Sequence, residues 1–243
     1  MPTTLAAFQD QILRVVRALR FPSETKETRR PAPSRARKLT TEETQGRYAQ
    51  LNESCDWLLP GFDELDALMV RYIRETPICN ESSLSDAERF LEWLATRVDL
   101  TQQQMDTLVC QQSHYTVEFV AVKKKLAHAR FQELLSNNRR LAKELGRNRK
   151  LTIHLNPVHV WATLETRVYL DEYSTIPATV LFYPVNEGVE GAVVEEDVVP
   201  LLKQLSRRPC KFDDLVGTMP NYDRNDLIDI VGELVQLGVV ALA

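Results

Sequence analysis

The sequence predicts a mainly α fold with a C-terminal α+β part, and three observations carry that expectation. Apolar residues recur at helical spacing from Thr41 to Leu145. From Leu151 onward, short runs rich in Thr, Val, Ile, Tyr and Trp replace that pattern and predict three strands. The last segment then returns to helical spacing three times before ending on a short apolar run. The expected division is an N-terminal helix over residues 1–21, a basic Pro/Arg-rich linker over 22–40, a helical domain over 41–148 and an α+β domain over 149–243.

Leu5, Phe8, Ile12, Val15, Val16 and Leu19 give the first helix one apolar face. Residues 22–38 contain Pro22, Pro31 and Pro33 and almost no apolar side chain, so their burial could not offset the entropy of ordering them. Tyr48, Leu51, Cys55, Leu58 and Leu59 predict the next helix, which Pro60-Gly61 interrupts. Phe62, Leu65, Leu68, Met69, Tyr72 and Ile73 form another apolar face, ending before Pro77. Ser85 followed by Glu88 is a capping-box signature, with Phe90, Leu91, Leu94 and Val98 on the buried side. Thr101 opens the longest helical stretch, which has a weak spot at Ser136-Asn137-Asn138 and is terminated by Gly146.

Residues 151–155, 160–170 and 178–183 are the three expected strands, separated by Asn156-Pro157 and Asp171-Glu172 turn signals. Three apolar helical faces follow: Val198, Leu201, Leu202 and Leu205, then Phe212, Leu215, Val216 and Met219, then Leu227, Val231, Leu234 and Val235. Gly238 stops the last helix, and residues 239–242 read as a strand. Three strands and three helices in this order predict a winged-helix-like domain.

The 243 residues carry a formal net charge of −4 that conceals a polarity. Between Arg14 and Lys38 stand Arg14, Arg17, Arg20, Lys26, Arg29, Arg30, Arg35, Arg37 and Lys38 against only Glu24 and Glu27, whereas acids dominate after residue 186. The basic linker reads either as a solvated spacer or as a tether for an acidic peptide or nucleic acid. It has no aromatic residue between its charges and so no platform for base stacking. No apolar run approaches a bilayer span, and the first helix is interrupted by Gln9, Asp10, Arg14 and Arg17, which argues against a signal peptide. Cys55, Cys79, Cys110 and Cys210 form no CxxC pair, so reduced thiols and a cytoplasmic location are expected.

Motifs for catalysis are missing from the pattern. The eight glycines form neither GxGxxG nor a P-loop. His114, His128, His154 and His159 fall in no HExxH or zinc-spaced Cys/His set, and no GxSxG elbow presents a serine. The expectation is no catalytic centre, and no metal or other cofactor held by this chain.

A winged helix that reads DNA needs Arg, Lys, Asn or Gln on the exposed face of its third helix. Asp226, Asp229 and Glu233 occupy that face instead, at i, i+3 and i+7. Carboxylates repel phosphate, so a protein or peptide reader fits the charge better. If residues 178–183 form an edge strand, an extended peptide could add to it. Thr179, Leu181 and Tyr183 would then touch the peptide, and the acidic stripe would line the groove or remain a solvated face.

The N-terminal half resembles a known family. LAAFQDQILRVV at the start, the Tyr48 helix, PGFDELDALMVRYIRETP, FLEWLA and the helix after LTQQQ are similar to a helical domain long labelled as DNA-binding. That domain belongs to the partner proteins of multinuclear non-heme iron-dependent oxidative enzymes, among them the methanobactin-type partner subunit. The closest likeness lies in residues 62–77, with FLEWL at 90–94 behind it; the basic insertion over 22–38 departs from the pattern. The resemblance implies a noncatalytic subunit that forms a heterodimer with an iron-bearing TIM-barrel enzyme. Its helical domain would dock on the barrel, and its C-terminal domain would capture a ribosomally made precursor peptide as an added strand.

The expectation is therefore a partner subunit that presents a peptide to an iron-dependent oxidative enzyme. Trp57, Arg71 and Arg74 are the candidate enzyme contacts. The alternatives are a DNA-binding transcription regulator, whose duplex affinity would depend on Arg224 or Asn225, and a stand-alone enzyme.

Overall fold

The computed structural model describes residues 41–77, 84–148, 150–185, 188–219 and 222–243. The helix expected over residues 5–19, the linker over 22–40 and Cys79 lie outside the described residues. The chain divides into two compact units, residues 41–54 with 64–100 and residues 55–63 with 101–243. The stretch expected as one helical domain over 41–148 is thereby shared between the two.

The first unit contains helices α1 (Thr41–Ser54), α2 (Leu65–Glu75) and α3 (Asp86–Arg97). The expected capping box opens α3: the Ser85 hydroxyl accepts the Glu88 N–H at 3.2 Å, and the Glu88 carboxylate accepts the Ser85 N–H at 2.8 Å. Tyr72, Phe90 and Trp93 meet in the core at ring separations of 5.2 to 6.1 Å, edge-on and stacked. Arg47 is buried on α1 and closes this core from its polar side, bonding Asp86 and the Thr76 carbonyl.

The second unit begins with a 3-10 turn, Asp56–Gly61, where Pro60-Gly61 was expected to break a helix. Helix α4 (Gln102–Lys123) starts on a Thr101–Gln104 capping box. Helices α5 (Lys125–Leu135) and α6 (Asn138–Ala142) follow, so the long expected helix breaks at Lys124 as well as at the Ser136-Asn137 weak spot. Six strands then appear: β1 (Thr152–Leu155), β2 (Val160–Leu164), β3 (Ala178–Val185), β4 (Gly188–Val194), β5 (Cys210–Lys211) and β6 (Val240–Leu242). The helices among them are α7 (Val199–Arg207), α8 (Phe212–Thr218) and α9 (Arg224–Gln236). The mainly α chain with a C-terminal α+β part stands.

Two antiparallel sheets organise this unit, with strand orders β5-β1-β6 and β2-β3-β4. The first is the winged-helix-like sheet: α7, β5, α8, α9 and β6 follow in chain order, and β1, supplied from before α7, lies between β5 and β6. Gly238 ends α9 at φ 75°, a left-handed conformation that costs glycine little. The second sheet is buried on both faces of its middle strand. Val180 and Phe182 pack with Cys110 and Val117 of α4, while Leu181 and Tyr183 join the core of Leu202, Phe212 and Leu234 from the three C-terminal helices. That is why β3 reads as an unbroken apolar run rather than an alternation.

Two strand expectations need correction. The second expected strand stops at Leu164 instead of residue 170. Asp106 of α4, 1% exposed, accepts both the N–H and the hydroxyl of Thr166 at 2.6 Å, and those bonds turn the chain out of the sheet. Strand β4 was not expected, because Gly188 and Gly191 weaken any local strand signal. Gly191 lies opposite Phe182, and a Cβ there would stand 3.1 Å from the Phe182 ring, so the small residue admits the large one.

Candidate functional site

Residues 178–183 do not form an edge. Strand β3 is the middle of its sheet, paired from Ala178 to Phe182 with β2 and from Thr179 to Val185 with β4. Its main chain is used on both sides, so the expected strand addition at Thr179, Leu181 and Tyr183 cannot take place there. Leu181 and Tyr183 are buried and Thr179 is half-buried. Tyr183 donates its hydroxyl to Glu190 at 3.4 Å, and burial together with that carboxylate pushes its pKa up to about 12. The sequence signal for an edge failed because the second partner strand was itself invisible.

The acidic stripe is exposed as expected. Asp226, Asp229 and Glu233 all face solvent on α9. Asp226 also has a local duty: it accepts the Asp223 N–H at 3.1 Å, while Asp223 accepts the Asn225 and Asp226 N–H groups, completing a capping box. The buried face of α9 shares a core with Leu181 and Tyr183, while Asp226, Asp229 and Glu233 lie on the opposite, exposed face. Arg224 is paired with Asp213 at 2.9 Å and covers the Phe212 ring.

Strand β6 has a free side only in principle. The Asn138 amide donates to the Val240 carbonyl at 3.2 Å and accepts the Leu242 N–H at 2.9 Å, imitating a strand neighbour. In the other sheet the outer edge of β4 has no strand partner among the described residues. Seven residues long, it carries no Lys and no Pro, and Val193 is 48% exposed. Natural edges are usually blunted by charge, proline or a bulge; β4 carries one exposed charge, Glu190, which accepts from Tyr183, and neither lysine nor proline to block an incoming strand.

The expected enzyme contacts divide. Trp57 is half-buried, stacked on His114 at 5.6 Å and tilted against Tyr169 at 5.4 Å, and the Tyr169 hydroxyl donates to the Trp57 carbonyl. One side of it packs on the core of its unit. Arg71 and Arg74 are exposed on α2; Arg71 pairs with Glu75 at 2.8 Å and lies over the Trp93 ring.

His154 and His159 are held below the usual histidine pKa by burial. No group of three or more His, Cys, Asp or Glu side chains stands together as a metal site among the described residues. Cys55, Cys110 and Cys210 are buried and form no disulfide, and burial pushes the Cys110 thiol up to about 12. No described helix is long and apolar enough to cross a membrane. No protein-family model, curated protein or solved structure matches the chain.

Proposed function

We propose that this protein is a noncatalytic partner subunit that captures a ribosomally made precursor peptide and presents it to an iron-dependent oxidative enzyme in the cytoplasm. The observation that carries the peptide-binding part is the outer edge of β4, long, without Lys or Pro, and bordered by exposed Val193. An extended peptide adding there would gain main-chain hydrogen bonds in a fixed register. The likeness of residues 62–77 and 90–94 to the partner family supports the choice of enzyme, with Arg71 and Arg74 as its contacts. The iron and the oxidation belong to the enzyme. This chain contributes effective concentration, since holding one part of the peptide makes the meeting of the reactive residue and the metal an intramolecular event.

The carboxylates on the exposed face of α9 weigh against the DNA-binding alternative. Coexpression of this chain with a candidate iron enzyme and its precursor peptide tests the reading. Copurification of the enzyme, together with a peptide mass change that requires this chain, is the expected result. An enzyme that neither copurifies nor depends on this chain would refute it.

A further inference from the structure

A cavity of about 740 Å³ opens in the second unit between α5, β1 and the end of α7, and no α9 residue lines it. Its charge is opposite to that of the chain as a whole. Lys124, Arg130, Arg207 and Arg208 line it against Glu133 alone. No ion pair among the described residues neutralises any of these four cations; Lys124 donates to the Pro157 carbonyl at 2.8 Å, which holds the ammonium in place without cancelling its charge. His154 and His159 also line the cavity, and burial keeps both below the usual histidine pKa, so the positive field comes from the lysine and arginines.

A buried amide fixes part of the cavity wall. Asn156 lines the cavity and is fully buried. Its Oδ1 accepts the Val158 N–H at 3.0 Å, which fixes the orientation of the amide. Its Nδ2 has no partner among the described residues. Less than 1 Å² of that nitrogen is exposed, so the amide holds the wall in place and a ligand in the cavity does not reach it.

The walls select for more than a simple ion. Phe131, Leu134 and Leu205 supply apolar surface, and the volume far exceeds that of a phosphate or acetate. The β1–β5 pairing ends at Ile153↔Cys210, because the next residue along, Pro209, has no N–H to continue the ladder. Leu155 and Pro209 both line the cavity, so a short length of strand edge forms part of its wall.

From these features we infer that the cavity binds an acidic peptide segment, its carboxylates on the Lys124, Arg130, Arg207 and Arg208 cluster and its apolar side chains against Phe131 and Leu205. The choice of a peptide rests on the reading of this chain as a peptide-presenting subunit; the anionic, partly apolar chemistry rests on the cavity alone. It also assigns the peptide two separate grips, main chain at β4 and carboxylates here.

Fluorescence anisotropy of the full chain with a short fluorescein-labelled peptide of alternating Glu and Leu tests the inference. Binding that weakens with salt, and that falls about tenfold or more in the R130E/R207E double variant, is expected. Arg130 and Arg207 are exposed, so the variant should keep the wild-type melting temperature; K203E, on α7 outside the cavity, controls for the change in net charge. Equal affinity for the peptide with Gln in place of Glu, or undiminished binding by R130E/R207E, would overturn it. So would tighter binding of a single-stranded oligonucleotide at the same residues, or full displacement of the peptide by equimolar inorganic phosphate. Enzyme copurification is scored separately in R130E/R207E: if it persists while peptide binding is unchanged, the cavity inference fails and the partner reading stands. If wild type binds the peptide but recruits no enzyme, the partner reading fails instead.

Discussion

Arg47 grips the Asp86 carboxylate with two nitrogens, at 2.5 and 2.8 Å, across 39 residues of sequence. Tyr72 donates to the same carboxylate at 2.7 Å, and Arg47 also donates to the Thr76 carbonyl at 2.6 Å. One guanidinium therefore ties α1 to the start of α3 and the end of α2. Its planar fork suits this bidentate role in a way that lysine cannot match. R47M should destabilise the first unit by about 3 kcal/mol, since the partly buried carboxylate would lose its partner. Urea denaturation followed by tryptophan fluorescence in a W57F/W161F background, where Trp93 alone emits, measures it; a loss near zero would show that solvent already satisfies Asp86.

The same pair gives an acid dependence. Burial alone would raise the Asp86 pKa, but the hydrogen bonds from Arg47 and Tyr72 outweigh it and hold the folded value below the usual aspartate range. A depressed folded pKa contributes stability above the unfolded value, and that stability is lost as pH falls through the folded one. Stability measured across the acid range should therefore decline more steeply in wild type than in D86N. Parallel curves would remove Asp86 from the acid transition.

Gly61 is a steric requirement. A Cβ there would stand 2.5 Å from both Cγ2 and Oγ1 of the buried Thr107. Thr107 is short, β-branched and bonded to the Gln104 carbonyl, so it has little room to yield. G61A should cost about 1 to 3 kcal/mol, whereas G217A, with nothing within 4 Å of its Cβ, should change stability far less. Equal melting temperatures for the two would contradict the packing described.

On α9, cap and charge separate. D223A removes the acceptor for two helix N–H groups and should lower stability by about 1 kcal/mol. D229K/E233K alters only exposed positions and should leave stability and peptide affinity close to wild type, because α9 does not wall the β4 edge. A large loss of peptide affinity in that variant would return the acidic stripe to the binding site.

The edge of β4 is tested by V193K. A lysine on an exposed edge discourages strand addition while leaving the β3–β4 pairing intact. Peptide binding should weaken severalfold with an unchanged melting temperature. Unaltered binding would move strand capture elsewhere.

Features with short-range causes were legible in the sequence. Ser85 and Glu88, Thr101 and its helix, and Gly238 after α9 announce themselves because a cap or a left-handed glycine is decided by residues within one turn. The apolar periods of α2, α3 and α7 were equally plain, since a helix shows its buried face at a fixed spacing. The candidate site was less legible. Trp57 reads as a candidate enzyme contact in the sequence, whereas its ring partners His114 and Tyr169 lie far along the chain. Nothing local joins Arg207 and Arg208 to Lys124 and Arg130, more than 70 residues earlier, and only the fold brings them to one cavity.

Sequence by itself determined the class of fold, the order of the three C-terminal helices with the strand after them, and the acidic character of the third helix; that β1 pairs with β5 and β6 while β2 and β3 join a different sheet came from the tertiary structure. Tertiary structure alone decided which strand is an edge. β3 is apolar on both faces whether central or covered, and only the Gly191–Phe182 fit reveals that a glycine-rich segment pairs beside it and takes the outer position. Periodicity records which side of a strand is buried, whereas strand neighbours are set by main-chain hydrogen bonds that every residue except proline can make.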